Sequence, residues 1–414
     1  MASIDRAPID EWLGRLEKSA ASTLSELLAR SAEQQDAAGY QHTLREICQQ
    51  PETWIETAAR MAAEGPRLEQ ALVAAGIRDR RGSLLLTGSG SSLFAGDCVA
   101  AALQEALRVP TVAVSAGALL THPSASLPPA GPYLLVSFAR SGNSPESCAV
   151  IDALKTPGTH HLIITCNAAG ALARRYRDEP QVCTLVLSEA THDRSLVMTS
   201  SFTNMALAAS ALGSRAGFDA YRAATDRVAT VARRLLGHDS QALAERARGR
   251  FDSVVYLGAG CRFGSARESA LKMLEMTGGE IWTMAESFLG LRHGPMAAIG
   301  AQTLVVAHLS SEPVARAFEL DLLRELQHKR LAVRPVIVGC AVPAELASEG
   351  GVIVDCGPAS GLADVTLTLV DALAGQLLAF FSCLALGLKP DAPSRNGVIQ
   401  RVVEEFEIHR RVAP

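Results

Sequence analysis

The chain alternates short, unbroken apolar runs with glycine-bearing turns and long helix-like segments, and this alternation occurs twice. Ser83–Thr87 ends in Gly88, and Tyr133–Ser137, Leu162–Thr165 and Val182–Leu187 follow it. The pattern restarts at Val254–Leu257 before Gly258 and Gly260, then continues through Leu304–Ala307, Val336–Val338 and Val352–Val354. Apolar runs that do not alternate with polar residues suit strands covered on both faces. Separated by helices, they predict a parallel sheet in each half. The restart predicts an internal duplication of one α/β unit, with a junction in the stretch 213–249. Residues 1–75 precede the first run and read as helical: Trp12, Leu13, Leu16, Leu24, Leu27 and Leu28 recur at helical spacing, and Pro51 suits the first turn of a helix running to Ala63.

Bulk properties narrow the function. With 414 residues, the chain has room for two or three domains, and 48% hydrophobic with only 5% aromatic residues fits helix-rich α/β packing. The net charge is −4, and short basic stretches such as Arg78–Arg81 and Arg246–Arg250 lie with or beside acids, so no nucleic-acid surface is expected. Nine scattered cysteines without a C-x-x-C pair argue against a disulfide framework and against a metal site, and they fit a reducing, cytoplasmic compartment. The first 17 residues carry charges and no apolar core, so no signal peptide is expected. Gly375, Gln376 and Ser382 interrupt the apolar stretch 372–388, which reads as a buried helix and not a membrane span.

Two loops carry the pattern of an anion site. Thr87-Gly88-Ser89-Gly90-Ser91-Ser92 joins a strand to an alanine-rich helix. Glycines let its backbone N–H groups approach a ligand, and the serine hydroxyls and helix N-terminus favour negative charge, so a phosphate suits it. An ordinary serine-capped turn has the same look. The loop has neither the Lys-Ser/Thr of a P-loop nor the spacing of a dinucleotide site. Phe138-Ala139-Arg140-Ser141-Gly142-Asn143-Ser144-Pro145 ends a second strand, with Ser144 as a helix N-cap and Pro145 at the first helical position. Strand C-termini share one edge of a parallel sheet, so both loops can serve one ligand. A third polar cluster, Met198 to Asn204 with Thr199 and Ser200, is a candidate wall for sugar hydroxyls.

The second half holds the candidates for chemistry. Glu268, Lys272 and Glu275 share one helix face, either as a surface ion-pair ladder or as part of a site. His293 stands before Gly294-Pro295 on a loop, where it is either structural or a general acid–base.

Several long motifs, in order, resemble the sugar-isomerase (SIS) superfamily. SFARSGNSPES spans residues 137–147, ITCNAAGAL 164–172, THDRSLVMTSSFTNM 191–205, ARESALKMLEMTGG 266–279 and NGVIQRVV 396–403, with the approach segment HTLREICQQP at 42–51. The closest resemblance is to the tagatose-6-phosphate ketose/aldose isomerases, or galactosamine-6-phosphate deaminase/isomerases. It implies two tandem doubly wound, flavodoxin-like parallel-sheet domains. The expected divisions are a helical extension over 1–55, domains over 56–225 and 226–390, and a tail over 391–414 closing the active site. It further implies a sugar-phosphate substrate, no metal or redox cofactor, and a homodimer with a shared active site, without nucleic-acid or membrane partners. In a more distant relative, the isomerase half of glucosamine-6-phosphate synthase, the phosphate-binding serines match Ser92, Ser141 and Ser144. The proton-shuttling carboxylate matches Glu275. The ring-opening histidine, contributed there by the partner subunit, matches His293, and Glu268 and Lys272 match residues lining the site. Two departures stand out. Ala139-Arg140 replaces the first serine of that relative's loop, and its C-terminal lysine has no counterpart in 395–403, which favours the galactosamine branch.

The expected function is therefore an aldose–ketose conversion of an amino-sugar phosphate with loss of ammonia. Glu275 and His293 are catalytic. Ser91, Ser92, Arg140, Ser141, Asn143, Ser144, Thr199, Ser200, Glu268 and Lys272 bind substrate. The alternatives are an isomerase of a non-amino sugar phosphate, a fructosamine-phosphate deglycase, or a non-catalytic phosphosugar regulator. No basic recognition helix in 1–75 supports a transcriptional regulator.

Overall fold

A computed structural model describes residues 6–409 except 20–21, 129–130, 215–216, 250, 332–333, 348–349, 395–396 and 402–405. Asn396, Val402 and Val403 of the tail motif thus lie outside the described residues. Among the described residues, ten strands form two five-stranded sheets. The first contains β1 (Ser83–Gly88), β2 (Thr111–Ser115), β3 (Tyr133–Ala139), β4 (Thr159–Thr165) and β5 (Val182–Val186) in the order β2-β1-β3-β4-β5. The second contains β6 (Ser253–Leu257), β7 (Trp282–Glu286), β8 (Thr303–His308), β9 (Val336–Gly339) and β10 (Val352–Asp355) in the order β10-β9-β8-β6-β7. Read from the other edge, the second order repeats the first, and every pairing is parallel. The duplication expected from the sequence is therefore present in the topology.

Two strands had no counterpart in the apolar runs, β2 and β7. Both are edge strands with no fully buried residue in either, so their sequences lack the continuous apolar stretch that marks β1, β3 and β4.

The turns after β1 and β6 match in conformation. Gly90 and Gly260, which precede the Ser91–Leu107 and Cys261–Met276 helices, adopt φ/ψ of 55/−128 and 52/−129, a region open essentially to glycine. These helices cross closely, because Gly264 has no side chain: a Cβ there would lie 2.5 Å from the Cys98 nitrogen. Arg267 completes the crossing by pairing with Asp97 and stacking on the Phe94 ring, 4.3 Å from its centroid. The two halves are thus joined through this helix pair.

Six helices between Ala7 and Ala74 open the chain, and one runs from Gln50 to Ala63 with Pro51 in its first turn. They pack on both halves. Glu52 pairs with Arg233, Thr23 donates to Gln241, and Glu46 accepts hydrogen bonds from Arg194 and Ser195. The apolar stretch near 372–388 belongs to the Asp364–Ala385 helix. Its most apolar 18-residue window has a mean hydropathy of 1.8 and is 94% buried within the protein, so it is a core helix.

Candidate functional site

An order of the type β2-β1-β3 changes direction between β1 and β3, and ligands of open α/β sheets gather outside the strand ends at such a point. In the first sheet, both serine loops emerge there. They open into a cavity of about 920 Å³. Ser91, Ser92, Arg140, Ser141 and Ser144 line it from the first half, and Lys272 and Glu275 from the second.

The loop chemistry follows from the caps. Ser144 occupies the N-cap of the Pro145–Leu154 helix with extended backbone, yet its hydroxyl makes no cap hydrogen bond. It is half-buried and faces the cavity, so that donor is left for a ligand. Ser141 is buried on the wall, where its Oγ accepts from the Asn143 N–H at 3.3 Å. Asn143 itself does not line the cavity. Its amide oxygen instead accepts from the Ala171 N–H at 2.9 Å and ties the loop to the next helix.

Lys272 is the bridge between the halves. Its ammonium is 1% exposed; it donates to Ser91 Oγ at 3.1 Å, contacts Glu268 at 3.4 Å and pairs with Glu275. Burial alone would push the Lys272 ammonium down, but Glu268 and Glu275 beside it raise it on balance. Glu268 lies beneath, fully buried, and neither of its oxygens has a well-formed hydrogen bond. Burial first, and then the Glu275 charge, outweigh Lys272 and push its carboxyl up to about 8. The arrangement is therefore a Glu268 carboxyl biased toward its protonated form below an ion pair of Lys272 with Glu275, whose side chain is a quarter exposed.

Arg140 faces the cavity, but much of its donor set is taken. Its guanidinium donates to the carbonyls of Ser195 at 3.2 Å, Leu196 at 2.9 Å and Arg401 at 2.5 Å. Burial lowers its affinity for the proton. It clasps the tail, whose residues Val398, Ile399, Gln400 and Arg401 close one side of the cavity.

Thr199 and Ser200 are not at the wall. Both are fully buried. The Thr199 hydroxyl donates to Asp193 and that of Ser200 to the Glu46 carbonyl, while Leu196 and Met198 of the same segment reach the cavity. Asp193, which the sequence reading missed, organises this stretch. Its carboxylate accepts from the backbone N–H groups of Thr199, Ser200 and Ser201 at 2.8–3.1 Å. It sits seven residues before the Ser200–Ser210 helix begins, too far for any cap spacing to reveal it. His293 is exposed, on the loop after the Phe288–Leu291 turn, and is not among the residues lining this chain's own cavity.

Two serine-bearing loops at helix N-termini thus line one cavity with a carboxylate–ammonium pair from the second half, an arrangement of an α/β protein suited to an anionic ligand. Residues 76–215 match the SIS domain family. The AgaS protein of Streptomyces coelicolor is 40% identical over 385 residues, covering 89% of this chain and 95% of that protein. The D-galactosamine-6-phosphate deaminase AgaS of Escherichia coli is 36% identical over 371 residues, with 89% and 95% covered. A crystal structure of tagatose-6-phosphate ketose/aldose isomerase from Escherichia coli superposes with a TM-score of 0.77 at 33% identity, covering 86% of this chain and 96% of that one. The chain belongs to the AgaS family of SIS-domain proteins.

Proposed function

We propose that the protein converts galactosamine 6-phosphate to tagatose 6-phosphate and ammonia. The observation that carries this reading is the Glu275 carboxylate, held by buried Lys272 and lining the same cavity as the Ser92 and Ser141–Ser144 loops. The naming of the Escherichia coli relative as a galactosamine-6-phosphate deaminase supports the substrate.

The phosphate docks on the serine hydroxyls and helix N-termini, and the sugar chain extends toward Glu275. His293 of a second copy assists ring opening to the aldehyde. Glu275 takes the C2 proton, giving an enolamine, and returns it to C1, which leaves a ketimine at C2. Water adds to the ketimine carbon and ammonia leaves, forming the ketose phosphate. One carboxylate serves both adjacent carbons, and every step is a proton transfer or hydrolysis. Lys272 positions that carboxylate through their ion pair.

The test is direct. With galactosamine 6-phosphate, ammonia and tagatose 6-phosphate should appear in equal amounts; ketose without ammonia from a non-amino hexose phosphate would favour simple isomerisation. Glu275→Gln should lower kcat by roughly 10²–10⁴-fold. The same variant should bind galactitol 6-phosphate, an open-chain analogue, within a few-fold of wild type. Full turnover in Glu275→Gln would remove the carboxylate from the mechanism.

A further inference from the structure

Arg401 lines two cavities: the one already described and a second of about 390 Å³. The second is formed by the start of the chain, the Gln41–Cys48 helix, residues 189–194 and the tail. Its size falls at the lower end of the range for small-molecule sites, roughly 300–1,000 Å³. Four arginines line it: Arg6, Arg45, Arg194 and Arg401. Arg45 is paired with Asp10 at 2.5 Å, and Arg401 donates to the Asp193 carbonyl. Arg6 and Arg194 have no ion pair and no side-chain hydrogen bond among the described residues.

The acids on the wall are Glu46 and Glu189. Glu46 is 6% exposed and accepts from the Arg194 N–H at 2.5 Å and from the Ser195 N–H and hydroxyl. Burial, followed by the Asp193 charge, pushes its carboxyl up to about 8, and both of its oxygens are held by Arg194 and Ser195 donors. Glu189 is the remaining acid on the wall against the unpaired Arg6 and Arg194 guanidiniums, and the four arginines leave the cavity with excess positive charge. Guanidinium forks suit the oxygens of a phosphate group.

We propose that this cavity is a second anion site, separate from the serine loops, that binds a phosphate group, either as the free ion or on a small phosphorylated metabolite. Arg194 is its principal ligand. The segment that carries Arg194 and His192 continues into Leu196 and Met198 on the other cavity. Arg401 is shared. An occupant therefore touches the same strap that closes over the sugar phosphate, which is the physical connection a regulatory anion needs.

The experiment is calorimetric titration of the full-length protein with inorganic phosphate. Wild type should bind two phosphates per chain, and one once galactitol 6-phosphate saturates the serine loops. Arg194→Ala should weaken that remaining phosphate at least roughly tenfold, while Arg194→Lys retains part of it. Parallel titration with glycerol 3-phosphate identifies the source: tighter binding of the ester marks a metabolite site, tighter binding of the ion a phosphate site. If galactitol 6-phosphate itself fails to bind, the substrate reading fails, and this site is still read from the phosphate binding that Arg194→Ala loses. Unchanged phosphate binding in Arg194→Ala, or no phosphate bound beside saturating galactitol 6-phosphate, overturns the proposal.

Discussion

The two halves share a topology and differ at the point where each could bind. In the first, the loops after β1 and β3 present Ser91, Ser92, Ser141 and Ser144 to open space. In the second, Arg262 stands where Ser92 stands in the first, two residues after the matching glycine. Its guanidinium is fully buried, donates to the carbonyls of Leu309 and Val338 at the ends of β8 and β9, and pairs with Asp371. Ser265 adds a hydrogen bond to Asp371 at 2.9 Å. The helix after β8 starts at Pro313, as the helix after β3 starts at Pro145, but its N-cap is Glu312, whose carboxylate accepts from the Ala315 N–H at 2.7 Å. One half thus presents two serine-bearing helix starts, with the Ser144 hydroxyl uncommitted, while the other presents a plugged crevice and a negative cap. In the proposed reading only the first half binds the phosphate, and the Cys261–Met276 helix of the other supplies Lys272 and Glu275.

The largest expected effect breaks the plug. Arg262→Met leaves Asp371 buried at 0% exposure without its cation, and should cost about 3–5 kcal/mol in urea unfolding. Combining it with Asp371→Leu should restore most of that loss, because no uncompensated charge remains. If only the first half binds substrate, the double variant's KM should stay within a few-fold of wild type. A large KM increase in a stable double variant would show that both halves bind.

Ser144→Ala sharpens the other side of the comparison. A working serine cap typically contributes about 0.5–2 kcal/mol to a helix. Ser144 makes no such bond, so its removal should leave the unfolding midpoint nearly unchanged. If its hydroxyl instead serves the phosphate, KM should rise by roughly 10–100-fold, the value of one hydrogen bond to a charged group. Glu312→Ala in the second half should do the reverse, lowering stability with little effect on KM.

How much of this was legible beforehand depends on which atoms a sequence exposes. Unbroken apolar runs revealed the interior strands, because burial on both faces leaves a continuous signature, and the edge strands β5 and β10 kept such runs as well. The edge strands β2 and β7 left none, since half-exposed positions accept Thr111 and Glu286. Both serine loops were readable from glycine and serine placement. The Ser/Thr cluster at 199–201 carries the same letters, but its hydroxyls are consumed by Asp193 and Glu46, partners that only the fold brings near. Glu268 and Lys272 share a helix face with Glu275, a spacing that could not distinguish a surface ladder from a buried one; the closeness of the Ser91–Leu107 helix decides it. Nor could spacing show that residues 1–75 would brace both halves through Glu46 and Glu52.

The smallest predicted effect concerns the charge state beneath the cavity. A carboxyl raised to about 8 in the folded chain, against an ordinary value near 4.5, holds a proton that the unfolded chain has lost between those two pH values. Stability from this group is therefore greatest below the unfolded value, declines as pH rises toward 8, and levels off above it. Glu268→Gln cannot ionise, so its unfolding free energy should fall less steeply than that of wild type between pH 5 and 8. Glu46 and Glu319, raised to about 8 and about 7 by burial, act in the same direction and leave a residual slope in the variant. Denaturant titrations of both proteins across that range isolate the Glu268 share as the difference in slope. A variant whose slope equals or exceeds that of wild type would mean that Glu268 is ionised in the folded chain, and that Lys272 divides its charge between two carboxylates instead of committing it to Glu275.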